Sequence, residues 1–131
     1  MFCSSLQNVK SLPTNSGTVI VKHANPCGVS INKNHLKSYQ LALACDPISA
    51  FGGIVSCNYK INKTLAKELK NIFLEVIIAN GFDREALNIL KNKKNLRLID
   101  SSNFKIKDLV RFNSANEVIL TQSEDINKFN I

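Results

Sequence analysis

Short apolar, often β-branched runs alternate with stretches of helical spacing over most of the first hundred residues, and this alternation is what most narrows the folds open to the chain. Thr18-Val19-Ile20-Val21, Ile54-Val55-Ser56-Cys57, Glu75-Val76-Ile77-Ile78-Ala79 and Asn95-Leu96-Arg97-Leu98-Ile99 read as strands. Between them the apolar spacing turns helical. Residues 34–45 carry Leu36, Tyr39 and Leu43 behind a capping Asn34, and residues 62–72 carry Leu65, Leu69 and Ile72 behind Asn62. Residues 83–91 carry Ala86, Leu87 and Leu90 behind Asp83. Alternating strand and helix predicts a parallel sheet with helices on both faces, an α/β fold. Residues 1–17 are polar, contain Pro13 and the Asn15-Ser16-Gly17 turn signal, and read as a lead-in rather than an element. Beyond Asp100 the pattern weakens. Residues 117–121 read as one more strand, and the last ten residues are polar and uncommitted.

At 131 residues the chain is the size of one domain, and an apolar fraction of 44% excludes a wholly disordered one. No apolar run approaches the ~20 residues that cross a bilayer, and the first residues do not resemble a signal peptide. The expected setting is soluble and cytoplasmic, with no membrane partner. A formal charge of +7 suits either a solubilising surface or an anionic partner, such as a phosphate or a polyglutamylated cofactor. The cations are mostly Lys, without the interleaved aromatics or Arg forks of base readers, which argues against nucleic acid. Four cysteines (Cys3, Cys27, Cys45, Cys57) carry no Cys-x-x-Cys pair, and Cys45 and Cys57 lie among apolar neighbours. Reduced, buried thiols are expected.

Two loops are rich in chemistry. Lys22-His23-Ala24-Asn25-Pro26-Cys27-Gly28 leaves the carboxyl end of the first strand, the end at which open α/β sheets bind ligands. A plain turn with a structural histidine is the bland reading of it. Successive side chains on a strand point to opposite faces, so Lys22 and His23 reach one ligand only if the backbone bends sharply there. If they converge, an ammonium can steady a developing charge or give a proton while an imidazole accepts one, a pairing suited to acyl or formyl transfer. Zinc deamination fails on the residues: Asn25 stands where the general-acid Glu would be, and Ser30 where the second thiolate would be. The second loop, Asp46-Pro47-Ile48-Ser49-Ala50-Phe51-Gly52-Gly53, reads by itself as a helix stop before a strand. Glu75, opening a buried strand, needs a partner or an exposed strand end.

Together these segments, in order, resemble a known family. The Lys22–Gly28 loop, Asp46 to Val55, Glu75 to Ala79, and Glu85 to Leu98 are similar to the transformylase domain of the bifunctional purine biosynthesis enzymes, which join phosphoribosylaminoimidazolecarboxamide formyltransferase to IMP cyclohydrolase. The resemblance is close over 19–99 and loose over 100–131. It implies a cytidine-deaminase-like layered fold without zinc, with residues 18–131 forming a partial transformylase domain. It implies formyl transfer from 10-formyltetrahydrofolate to the amine of 5-aminoimidazole-4-carboxamide ribonucleotide. Lys22 and His23 match the family's catalytic pair, and Gly52 and Glu75 match positions that contact the ribonucleotide. Asn25, Ser49 and Phe51 fall within the same motifs and are expected in the pocket wall. The family acts as a homodimer. Neither its cyclohydrolase domain nor its second transformylase half is recognisable here, so the chain reads as a fragment that would not turn over alone. Asn80-Gly81 departs from the proline usual after the Ile-Ile-Ala run. A non-catalytic basic binding module and an inactive remnant are the competing readings.

Overall fold

A computed structural model describes residues 2–104 and 110–123. The chain order is α1 (Phe2–Lys10), β1 (Gly17–Lys22), β2 (Asn25–Ile31), α2 (His35–Cys45), β3 (Gly53–Cys57), α3 (Lys63–Leu69), β4 (Leu74–Ala79), α4 (Arg84–Leu90) and β5 (Arg97–Asp100), then a hairpin of β6 (Arg111–Ala115) and β7 (Val118–Gln122). The five-stranded sheet has the order β2-β1-β3-β4-β5. β3, β4 and β5 are parallel, and β1 is antiparallel to both β2 and β3. Four strands therefore run one way and β1 runs against them, which makes the sheet mainly parallel.

The expected strands and helices form close to their predicted bounds, for the reasons the sequence supplies. Asn34 and Asn62 accept hydrogen bonds from the amides of Lys37 and Leu65, closing the first turns of α2 and α3. Asp83 precedes α4 without a side-chain capping bond, because its carboxylate pairs instead with Lys60 at 2.7 Å. β1 is buried on both faces: Ile20 packs toward α2, while Val19 and Val21 face α1.

Two expectations are overturned. The polar lead-in is not structureless, since residues 2–10 form α1. Leu6 and Val9, 4% and 1% exposed, seal the face of the sheet opposite α2–α4 against Val19, Val21, Ile54 and Ile78. Burying those two side chains contributes roughly 3–6 kcal/mol before entropy is counted. A helical stripe only two residues wide is too sparse to stand out against a polar stretch. The connector to β1 is held by Asn58: its Oδ1 accepts from the amides of Ser16 and Gly17, and its Nδ2 donates to the carbonyls of Val9, Leu12 and Pro13. Asn25 to Gly28, read as part of the Lys22–Gly28 loop, belong to edge strand β2. Pro26, which cannot donate to a ladder, is tolerated there at the edge.

The three cysteines whose side chains are described carry free thiols. Cys57 is buried and its thiol is pushed up to about 11 by desolvation, whereas Cys45 is exposed, contrary to expectation. The strand expected near 117–121 is β7, paired with β6, and its Val118, Ile119 and Leu120 are exposed. Residues 124–131, most of the uncommitted tail, lie outside the described residues. No helix among the described residues is long and apolar enough to cross a membrane.

Candidate functional site

The bend that the first motif requires is a two-residue hairpin turn. Lys22 pairs with Asn25 across β1 and β2, leaving His23 and Ala24 as the turn, with φ of 51° and 69°. Those signs are what a tight hairpin matching the twist of its strands demands, and Asn-Gly is the usual choice. His and Ala accept the same geometry at a cost of about 1–2 kcal/mol per residue. The turn is braced from α1, where Ser4 Oγ donates to the carbonyl of Ala24 at 3.2 Å. His23 is thereby lifted off the alternating strand pattern, so it shares a cleft with Lys22 instead of facing away from it.

That cleft, about 270 Å³, is lined by Val21, Lys22, His23, Phe51, Gly52, Ile54, Phe73 and Glu75. The second motif supplies one wall. Asp46 ends α2 and accepts from the Ser49 amide at 2.9 Å; the Ser49 hydroxyl, followed by this amide, holds its carboxyl below the usual range. Successive amide bonds from Ala50 to Asp46, Phe51 to Ile48 and Gly53 to Ala50 then wind the loop tightly. Gly52, at φ 72°, donates its amide to the carbonyl of Phe73 at 2.8 Å, tying the loop to the start of β4. The Phe51 carbonyl faces into the cleft and accepts from Lys22 Nζ at 2.5 Å. Glu75 enters through an irregularity in the β3–β4 ladder: Gly53 pairs with Leu74 but Ile54 pairs with Val76, so Glu75 is the unmatched residue. It is exposed, which removes the desolvation cost expected of a carboxylate in a buried strand.

Of the residues singled out in the sequence, the structure gathers Lys22, His23, Phe51, Gly52 and Glu75 around one space. Asn25 and Ser49 stand outside its lining. Asn25 is an exposed strand-opening residue, and the Ser49 amide is spent on Asp46. Phe73, unremarked in the sequence, completes the wall; a lone aromatic just ahead of a buried run offered the only signal. The end of the sheet also differs from expectation. Because β1 runs against its neighbours, its carboxyl end lies beside the amino ends of β3 and β4, so the cleft sits opposite the end that the parallel-strand rule favours. A second depression, about 380 Å³, lies at that other end where α2 and α3 begin, but its His35 ring is stacked flat on Tyr59 at 3.9 Å.

Comparison with known proteins identifies the family. The sequence profile of the family described as AICARFT/IMPCHase bienzyme matches residues 3–131. The chain belongs to that family. It is 46% identical over 114 residues to the bifunctional purine biosynthesis protein PurH of Petrotoga mobilis, covering 85% of this chain and 22% of that protein. It is 50% identical over 93 residues to PurH of Prochlorococcus marinus strain MIT 9211, covering 71% of this chain and 18% of that one. The chain thus spans about a fifth of the length of these relatives. Among solved structures, RibD of Acinetobacter baumannii superposes with a TM-score of 0.62 at 16% identity, over 76% of this chain and 36% of that one. A dCMP deaminase from cyanophage S-TIM5 superposes with a TM-score of 0.55 at 9% identity, over 72% of this chain and 91% of that one. The fold is the layered, cytidine-deaminase-like one, and the chain falls within a purine-biosynthesis family.

Proposed function

We propose that this chain carries the Lys22–His23 edge of a formyl-transfer site, moving a formyl group from 10-formyltetrahydrofolate to the 5-amino group of aminoimidazole carboxamide ribonucleotide. The observation that carries the reading is the convergence of two sequence neighbours on one cleft through a turn that His and Ala adopt only at a conformational cost. In the reaction the amine nitrogen attacks the formyl carbon, and the bond from that carbon to N10 of the folate breaks. His23 takes the proton the amine loses, and Lys22 supplies a proton to the departing N10. Phe51 fixes the Lys22 ammonium through its carbonyl, so that its charge stands in the cleft before a ligand arrives. Gly52 leaves the space beside Lys22 open, since a Cβ there would lie 3.9 Å from Nζ. The surplus of seven positive charges favours an anionic nucleotide and a polyglutamylated donor. Family relatives act as far longer chains, and a partial constellation binds a transition state poorly. The 131 residues alone are therefore expected not to turn over, and the activity belongs to a complex with the remaining family sequence, as a homodimer.

The test is co-expression of this chain with a polypeptide supplying the rest of a PurH sequence, with release of tetrahydrofolate followed spectrophotometrically. Lys22→Ala is expected to lower turnover by about 10²–10⁴-fold. Unchanged turnover in that variant would remove Lys22 from the chemistry.

A further inference from the structure

We infer that Phe73, together with Phe51, forms an aromatic platform at the lip of the cleft on which a planar conjugated ring packs, and that Phe73 is a ligand-contacting residue rather than part of the core. The inference deepens the formyl-transfer reading and rests on it for the choice of ring compounds. Both phenyl groups line the cleft, and both are open to solvent, at 59% and 41% exposure. Scattered exposed apolar residues are ordinary, but two exposed aromatics side by side on one cleft make a contiguous apolar patch that points to a contact. Their rings lie 5.3 Å apart at 46°, a tilted pair that leaves ring surface unused. Neither is free to swing away by loop motion. The Phe73 carbonyl holds the Gly52 amide, and the Phe51 carbonyl holds Lys22 Nζ. A Cβ on Gly52 would stand 3.5 Å from the Phe73 ring, so the glycine keeps clear the space between that ring and the ammonium.

The cleft is therefore two-sided in chemistry. Lys22, His23 and Glu75 offer charge and hydrogen bonds, while Phe51 and Phe73 offer only apolar ring faces and edges. A ligand that satisfies both halves has a conjugated ring joined to a polar, reactive edge. Two reactants of the proposed reaction fit that description: the imidazole of the ribonucleotide and the bicyclic ring of the folate. The experiment distinguishes them. Saturation-transfer NMR on this chain co-expressed with a polypeptide supplying the rest of a PurH sequence would use three separate probes, namely aminoimidazole carboxamide ribonucleotide, 5-formyltetrahydrofolate and ribose 5-phosphate, with wild type, Phe73→Leu and Phe73→Tyr. Binding of at least one ring compound is expected to weaken by roughly five- to a hundred-fold in Phe73→Leu and to recover in Phe73→Tyr. Ribose 5-phosphate, which has no conjugated ring, is expected to bind all three proteins alike. The ring compound that responds identifies the occupant. Equal weakening of all three probes in Phe73→Leu would overturn the platform and make Phe73 a structural support. Ring binding that is unaffected by Phe73→Leu but lost in Lys22→Ala would overturn the platform and leave the formyl-transfer reading standing. Failure of both ring compounds to bind the wild-type complex would overturn both.

Discussion

Replacing Gly28 with alanine probes how the hairpin carrying Lys22 and His23 is anchored. Gly28 lies in β2, opposite Ile20 of β1, where α2 crosses the sheet. A Cβ built there would stand 2.0 Å from the carbonyl oxygen of Ala42 and 2.9 Å from its carbonyl carbon. The obstacle is helix backbone, so no side-chain rotation relieves it. Restoring an ordinary contact requires β2 and α2 to part by about 1 Å or more, which opens the close packing behind Tyr39 and Ala42. Overpacking of this kind costs typically 1–3 kcal/mol, and a backbone obstacle places Gly28→Ala at about 3 kcal/mol or above. That is a large share of the roughly 5–15 kcal/mol that holds a domain folded, and corresponds to about 12 °C in melting temperature. Gly52→Ala supplies the contrast. Its Cβ would meet Phe73 and Lys22 at 3.5–3.9 Å, ordinary contacts, so only the backbone conformation is penalised, by about 1–2 kcal/mol. Urea unfolding followed by circular dichroism gives both values. A Gly28→Ala protein within about 2 °C of wild type, or less damaged than Gly52→Ala, would refute the packing argument.

Two further outcomes follow from buried groups. Asn58→Ala removes five hydrogen bonds that join α1, its connector and β1, and leaves the Ser16 and Gly17 amides without their acceptor; a loss of about 3 kcal/mol in urea midpoint analysis is expected, and a loss below about 1 kcal/mol would show that water replaces the side chain. The Cys57 thiol is held protonated by burial, at about 11 against an ordinary 9. The folded state therefore binds more protons than the unfolded one between those values. Its contribution is complete below pH 9 and is lost as pH rises through 11, about 3 kcal/mol in all. Denaturation at pH 8 and pH 10.5 should show most of this fall in wild type and a shallower one in Cys57→Ala, because the Cys27 thiol and the Tyr39 and Tyr59 hydroxyls, also raised by burial, then remain; identical slopes would rule Cys57 out as the cause.

Much of the architecture was legible in residue order alone. Three of the four strands expected in the first hundred residues survive nearly intact because β-branched runs such as Val19-Ile20-Val21 are too apolar to lie anywhere but inside a sheet, and the fourth shifts by about two residues to Arg97–Asp100. Asn34 and Asn62 cap their helices because that interaction is local, reaching only three residues ahead. Part of the site's chemical content was equally visible, since Lys22, His23 and Glu75 stand out by residue type and position, whereas Gly52 was singled out only by the family resemblance. Other features depended on contacts distant in sequence. Phe73 becomes part of a site only because its carbonyl meets Gly52, and Asp83 gives up its cap to Lys60. Asn25 and Ser49 carry suitable chemistry but are turned to other uses.

Strand direction is the clearest division between the two kinds of information. A β-branched run specifies that a strand will form, but its side chains are the same whichever way the neighbours run. The direction of β1 was settled by His23 and Ala24 taking left-handed conformations that neither residue prefers, a choice stabilised by the pairing of whole strands and by Ser4 from α1. Composition and periodicity thus determined the layers, the helix starts and the chemical repertoire. Tertiary structure alone decided at which end of the sheet that repertoire assembles, because the penalty at a two-residue turn is outweighed only by interactions among elements far apart in the chain.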